Sequence, residues 1–232
     1  MRILFYDLET APNIGYTWEK WETNVLGFIK EREILSCAYK WQGDKKVSVI
    51  SAQGQKSDKN LVKKLHRLFE QADIVIAHNG DKFDQGIAKA RMIYHKMSPP
   101  RILQSVDTRK AAKNNFKFNG NGLEDLGKFL KLGSKRKHSG FDMWLGCMEG
   151  KKSSWKEMIK YNKQDVVLLE KVYNRLKPWI HNHPCLSEIK DGCPQCGSKN
   201  VVRKGYRATQ ATIKQQMQCK SCNSWYLVKK AK

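Results

Sequence analysis

Apolar positions along the chain follow two periods. Ile3, Leu4 and Phe5 stand in a row ahead of Asp7, the pattern of a buried strand over Ile3–Asp7. Short runs rich in β-branched and aromatic residues predict further strands at Ile34–Trp41, Val47–Ser51, Ile74–Ala77 and Ile102–Val106. Leu61, Val62, Leu65, Leu68 and Phe69 instead recur at helical spacing, which makes Asn60–Gln71 an amphipathic helix with Ser57 and Asp58 as candidate caps. Helices are also expected at Asp84–His95, Leu123–Leu132, Ser154–Tyr161 and Asp165–Leu176, while 15–30 and 108–122 have no clear period. Three strands, then helix, strand, helix, strand and further helices predict an α/β fold, a mixed β-sheet flanked by helices. Pro178 and the aperiodic stretch 181–192 suggest a domain over 1–180, a linker over 181–191 and a small unit over 192–232.

Charge narrows the partner. Lys and Arg total 44 against 22 Asp and Glu, a formal +22, of which +8 falls in residues 185–232. Such an excess favours a polyanion through counterion release, with nucleic acid as the leading candidate and a solvated basic surface as the plain alternative. No run approaches the roughly 18 apolar residues of a membrane span. MRILFYDLET carries acids where a secretory signal carries an apolar stretch, so an intracellular location is expected.

Acids gather near the ends of predicted elements. Asp7 and Glu9 are two apart at the end of the first strand, so both carboxylates point to one side of the sheet. Asp84 closes AHNGDKFD just after the strand Ile74–Ala77, and Tyr161 and Asp165 lie four apart in YNKQDVVLLEKVY, which places both on one face if the helix is continuous there. Taken singly, such residues have simpler readings: Asp165 as the cap of a helix starting near Val166, Asp107 as a turn or helix cap, His78 as a structural histidine, Trp144 and Trp155 as core. Taken together, they offer oxygen ligands for hard divalent cations, the arrangement that phosphoryl transfer uses.

FYDLET, AHNGDKFD and YNKQD resemble the three exonuclease motifs of the DnaQ-like (DEDD) superfamily, on a ribonuclease H-like fold; Tyr161 ahead of Asp165 matches its tyrosine-bearing branch. The resemblance covers about residues 1–180. DLETAPN, GLEDLGKFLKLGSKRKHSGFDMW and YNKQDVVLLEKVY with a following zinc ribbon resemble stand-alone exonucleases of bacteriophages, which would place the protein in the cytoplasm of a bacterial host. The resemblance implies a two-metal-ion 3′–5′ exonuclease releasing nucleoside 5′-monophosphates, with DNA favoured over RNA. Asp7, Glu9 and Asp165 would hold one Mg²⁺ or Mn²⁺, Asp7 would bridge to a second, Asp84 would support that ion directly or through water, and Tyr161 would orient the attacking water. Thr10, Asn79, Lys135, Lys137 and His138 are candidate nucleic-acid contacts, the last three from a basic run between the second and third motifs. The alternatives are a ribonuclease H-like endonuclease and a non-catalytic nucleic-acid-binding adaptor.

Seven cysteines are unevenly placed. Cys193, Cys196, Cys219 and Cys222 form two Cys-x-x-Cys pairs with 22 residues between them, while Cys37, Cys147 and Cys185 stand alone. Two such knuckles complete a tetrahedral S₄ site, and a unit of about 40 residues needs a metal to fold; one structural Zn²⁺ is expected, with a redox pair or an iron site as the alternatives. CPQCGSKN, the Lys204-Gly205 step and the late aromatic pair resemble zinc ribbons of transposase-like and other DNA-associated proteins. Arg203, Lys204, Tyr206 and Trp225 are its candidate nucleic-acid contacts, and docking to a polymerase or replication protein is the rival reading. His181 and His183, beside the linker, are not expected to bind metal.

Overall fold

A computed structural model describes the chain apart from Glu22, Thr23, Ile102, Leu103, His181, Asn182, Glu188, Lys190 and residues 230–232; of Lys229 only the backbone is described. The elements run in chain order as β1 (Ile3–Thr10), β2 (Ile14–Tyr16), β3 (Gly27–Lys30), β4 (Ile34–Trp41), β5 (Ser48–Ser51), α1 (Lys59–Gln71), β6 (Ile74–Ala77), α2 (Asp84–Tyr94), β7 (Gln104–Asp107), α3 (Thr108–Asn115), α4 (Leu123–Phe129), α5 (Phe141–Met148) and α6 (Lys152–Leu176). A short 3₁₀ turn at Lys177–Trp179 precedes β8 (Val201–Ala208), β9 (Ile213–Cys219) and β10 (Trp225–Lys229).

The main sheet has the order β5-β4-β1-β6-β7. β1 pairs antiparallel with β4 and parallel with β6, and β6 parallel with β7, so the sheet is mixed, as the element order predicts. Alternation along β1 sends Ile3 and Phe5 into one apolar layer with α6, and Leu4, Tyr6 and Leu8 into the opposite layer with α1 and α2. Phe5 meets Tyr173 of α6 edge-to-face at 5.4 Å between centroids, a contact worth about 1 kcal/mol beyond the buried area. Among the described residues no helix is long and apolar enough to cross a membrane.

Several local expectations change. The two helices expected at Ser154–Tyr161 and Asp165–Leu176 are one continuous helix, α6, because nothing in Asn162-Lys163-Gln164 breaks the backbone and Asn162 and Asp165 both face inward. The aperiodic stretch 15–30 lies largely in the exposed hairpin β2–β3, and 108–122 begins with α3, where Asp107 caps as expected by accepting from the Arg109 and Lys110 amides. β7 replaces the strand expected at Ile102–Val106; Ile102 and Leu103 lie outside the described residues. α5 was not expected, since its apolar face is short, and packs with the N-terminal half of α6.

Asp58 occupies the N-cap position of α1 but makes no capping bond. Its buried carboxylate instead accepts from Arg91 Nε at 2.8 Å, Arg91 Nη2 at 2.7 Å and the Ile34 amide at 3.0 Å, with His95 Nε2 at 2.7 Å. A bidentate guanidinium outcompetes a single amide for the same oxygens, and the result ties α1, α2 and β4 together.

β8, β9 and β10 form a separate antiparallel sheet of order β10-β9-β8. Tyr206 and Ile213 are exposed there, and the buried groups among the described residues are Cys193 and Cys219 with Gln195, Gln215 and Ser224. Such a small apolar interior explains why cysteines stand at the centre of this unit.

Candidate active site

Strand parity puts Asp7 and Glu9 on the same face as Ile3 and Phe5, the face that α6 crosses. The buried side of α6 carries Tyr161, Asn162 and Asp165 above β1, with Val166, Leu169 and Val172 continuing into the core. As a result, carboxylate oxygens of Asp7, Glu9 and Asp165 lie within 4.8 Å of one another. Residues 155 or more positions apart in the chain thereby share one small pocket.

Each acid is held by a second group. Asn162 Nδ2 donates to Asp7 Oδ2 at 2.7 Å, and the Ser36 hydroxyl on β4 donates to Asn162 Oδ1 at 2.8 Å, which fixes which way the carboxamide faces. The Trp144 side chain of α5 donates to Glu9. Lys135 Nζ donates to Asp165 Oδ2 at 2.6 Å and to the Tyr161 hydroxyl at 3.0 Å. Lys135 arrives by a defined route: α4 ends with Lys131 at φ 56° and a bond from the Leu132 amide to Gly127 O of 2.9 Å, a left-handed helix stop. A Cβ on Gly127 would stand 2.6 Å from Gly133 O and 3.0 Å from Leu168, so this glycine is what lets the segment cross closely over α6.

Asp84 stands beside this group. It opens α2 and accepts from the Leu8 amide at 2.9 Å, at a point on β1 beyond its last β6 partner. Its charge nevertheless reaches the cluster. Burial, then Glu9, Asp84 and Asp165, push Asp7 well above the ordinary carboxylate range. Burial and Asp165 push Glu9 up to about 8, and burial raises Asp84 to about 7 against the pull of its amide hydrogen bonds. Burial also raises Asp165, with Lys135 opposing. Buried acids that resist ionising next to each other form a place where cations are favoured. Asp165 Oδ1 adds a direct sign: it is buried without a hydrogen-bond partner, while a lysine ammonium already sits on Oδ2. The donor set therefore fits hard divalent cations.

The profile of the RNase H superfamily matches residues 21–177, a span that includes Asp84, Tyr161 and Asp165 and begins after Glu9. The chain belongs to the RNase H superfamily. That membership makes a nuclease, a metal-dependent hydrolase of phosphodiester bonds, its expected chemistry. Among solved structures, the family B DNA polymerase of the hyperthermophilic archaeon Pyrobaculum calidifontis is similar, with a TM-score of 0.58 and 13% identity over 76% of this chain. The matched part is 24% of the polymerase chain, and at that identity the likeness concerns the fold alone. No curated protein matches in a sequence search.

Around this RNase H-like centre the secondary candidates separate. His78 is structural in geometry: Nδ1 pairs with Thr108 Oγ1 at 2.9 Å, Nε2 with Asn121 O at 3.0 Å, and burial lowers its pKa to about 4. Asn79, at φ 66°, bonds Asp107 through its amide and accepts from Arg109 Nη1 at 3.1 Å, so it braces the loop before α2. Thr10 is half-buried at a register shift in β1, next to Glu9. His138 packs edge-on against Trp144 at 5.1 Å and Tyr161 at 4.8 Å, while Lys137 is exposed. Trp155 is core as expected, but Trp144 is half-buried and faces the acids.

Two contributors were missed by sequence reasoning. Asn162 lies inside YNKQD, and its signal was an i, i+3, i+7 relation to Asp165 and Leu169 on the buried side of the helix. Trp144 had no such signal, because its role depends on where α5 docks.

The four paired cysteines also converge, with sulfurs within 4.8 Å of one another. Cys193 to Cys222 and Cys196 to Cys219 are each 3.6 Å, too long for a disulfide and close to the roughly 3.8 Å edge of a tetrahedron with 2.3 Å zinc–sulfur bonds. Backbone amides of Gln195 and Cys196 point at Cys193, that of Ser198 at Cys196 and that of Ser224 at Cys222. Amides aimed at sulfur stabilise thiolates, so this donor set fits a structural Zn²⁺. His183 instead pairs with the Tyr173 hydroxyl at 2.9 Å; His181 lies outside the described residues.

Proposed function

We propose that the chain is a metal-dependent 3′–5′ exonuclease that releases nucleoside 5′-monophosphates from nucleic-acid ends, with DNA the favoured substrate. What carries this reading is the meeting of the Asp7, Glu9 and Asp165 carboxylates within 4.8 Å, with the Tyr161 hydroxyl tied to the same ammonium as Asp165. Asp7, Glu9 and Asp165 would hold Mg²⁺ or Mn²⁺, with Asp84 supporting a second ion from the start of α2. Such ions supply Lewis-acid charge and make water acidic enough to act as a nucleophile near neutral pH.

The chain's own groups do the rest. Asn162 and Trp144 keep the Asp7 and Glu9 oxygens aimed, so little reorganisation accompanies the reaction. Tyr161 stays a neutral phenol, because burial and Asp165 raise it to about 12, and so can hold an attacking water by hydrogen bonding. Lys135 remains an ammonium: burial opposes its charge, but Asp165 and Tyr161 outweigh that. Released from Asp165, it would contact the phosphate whose ester bond breaks. Residues 1–180 would form the nuclease, 181–191 the linker and 192–232 a zinc ribbon; Leu186 packs against the nuclease core from within that linker.

The test is a panel of 5′-labelled DNA and RNA strands with Mg²⁺ or Mn²⁺, comparing the natural chain with Asp7→Ala and Asp165→Ala. Stepwise shortening from the 3′ side, lost in both variants, is expected. Cutting of a circular strand would replace this reading by an endonuclease, and undiminished activity in both variants would overturn the role of the acids.

A further inference from the structure

A groove of about 710 Å³ lies between the C-terminal part of α6 and the last strands of the ribbon. Lys171, Arg175 and Trp179 line one side, and Gln218, Asn223 and Trp225 the other. The size falls within the roughly 300–1,000 Å³ of ligand sites. Its composition is unusual for a seam between two units: two tryptophans, cations, carboxamides, and no acid among the described lining residues. Trp179 is 62% exposed and Trp225 42%. Trp179 is nonetheless held in place, its ring edge-to-face with Phe116 at 5.9 Å, and Phe116 stacks on Phe118 at 4.9 Å. An indole held by a ring contact and still largely exposed offers a surface on which a base can stack.

The groove and the acid cluster share one helix. Both lie along α6, where Lys171 and Arg175 follow Asp165 by about 9 and 15 Å of helix rise. The segment that delivers Lys135 to Asp165 runs beside them: Leu132 lines the groove, and its carbonyl accepts from Lys171 Nζ at 3.4 Å. The far wall is anchored as well, since Lys177 Nζ donates to Gln195 O at 2.9 Å within the first cysteine knuckle.

Strand parity selects which side of the ribbon takes part. Gln218 pairs with Trp225, and the neighbouring pair, Met217 with Tyr226, points the other way. Met217 and Tyr226 line a different hollow together with Arg203 and Tyr206. Of the ribbon residues expected to touch nucleic acid, Trp225 thus faces the nuclease side and Arg203 and Tyr206 do not.

We infer that this groove holds the single strand of nucleic acid behind its 3′ end, with bases stacked on Trp179 and Trp225 and phosphates on Lys171 and Arg175, an arrangement that rests on the exonuclease reading above. Gln218 and Asn223 would meet base edges. Stacking tolerates every base, so the groove would set strandedness and length, not sequence.

The test measures binding apart from cleavage. Fluorescence anisotropy of labelled single strands of about 15 and about 3 nucleotides is followed on the zinc-loaded full chain without added Mg²⁺ or Mn²⁺. The natural chain, Trp179→Ala, Trp225→Ala and the two Trp→Phe variants are compared, with zinc content checked in each. The longer strand should bind the natural chain at least tenfold tighter than the short one. Each alanine variant should lose about tenfold on the longer strand alone, and phenylalanine should restore most of it. Equal binding of the longer strand by the natural chain and both alanine variants would overturn the groove. Shortening of the longer strand by the natural chain on adding Mg²⁺ tests the exonuclease reading separately: its absence removes that reading, while the groove is judged on anisotropy alone.

Discussion

Lys135 Nζ lies 2.6 Å from Asp165 Oδ2, so the acid cluster already contains a cation supplied by the chain itself. An ammonium there neutralises one acid and competes with any ion for it. Replacing Lys135 by Ala should therefore separate two effects. Turnover at saturating Mg²⁺ should fall by about 100-fold, as when a donor to developing charge is lost. The Mg²⁺ concentration for half-maximal activity should fall as well, because the competitor is gone. A titration of activity against Mg²⁺ reads both, and a rise in the half-maximal concentration would contradict the competition.

Asn162 acts through Asp7. Asn162→Ala removes the 2.7 Å bond to Asp7 Oδ2 and leaves the Ser36 hydroxyl without its acceptor. Loss of a group that orients a ligand costs about 10- to 100-fold in affinity or activity. Calorimetric titration with Mn²⁺ should show weaker binding with an unchanged melting transition to within a few degrees. A variant that binds Mn²⁺ as the natural chain does would assign Asn162 to packing alone.

Asp58 should govern acid stability. Burial works against its charge, but hydrogen bonds from Arg91, the Ile34 amide and His95 outweigh it and lower its pKa below the ordinary value. The folded state therefore binds this proton less readily than the unfolded chain, and the stabilisation is present above about pH 4 and lost as pH falls through the lowered pKa. Asp58→Asn should destabilise by about 3 kcal/mol near neutral pH, the cost of leaving Arg91 buried without its partner. Denaturant melts from pH 7 to pH 2 should show the difference from the natural chain shrinking toward the acid end.

Zinc should hold the ribbon and not the main sheet. A Cys193→Ser/Cys219→Ser chain should lose nearly all bound zinc, since each knuckle gives up one thiolate of the cluster. Hydrogen exchange should then speed up over residues 193–229 while the amides of β1, β4 and β6 stay protected. Equal loosening of both regions would mean that the two units fold as one.

Much of the nuclease unit was legible because its signals are local. Period-two spacing put Asp7 and Glu9 on one face, four-residue spacing paired Tyr161 with Asp165, and the helix Asn60–Gln71 followed from its apolar stripe. The same logic failed where residues answer to partners far along the chain. Asp58 reads as a cap until Arg91 is brought against it, Trp144 reads as core until α5 docks beside Glu9, and the hairpin in 15–30 buries no face that would give it a period.

By itself, then, the sequence determined the order of elements, the sidedness of β1 and α6, the four-thiolate set and the excess of positive charge, all properties of neighbours within a few residues. Only the tertiary structure decided that Asp7, Glu9 and Asp165 meet while Asp84 stands beside them, that Lys135 enters from the turn after α4, and that Trp225 faces Trp179 across a groove. Those outcomes depend on how helices cross a sheet and how two units abut, which is set by the packing of whole surfaces and has no signature in any single stretch of chain.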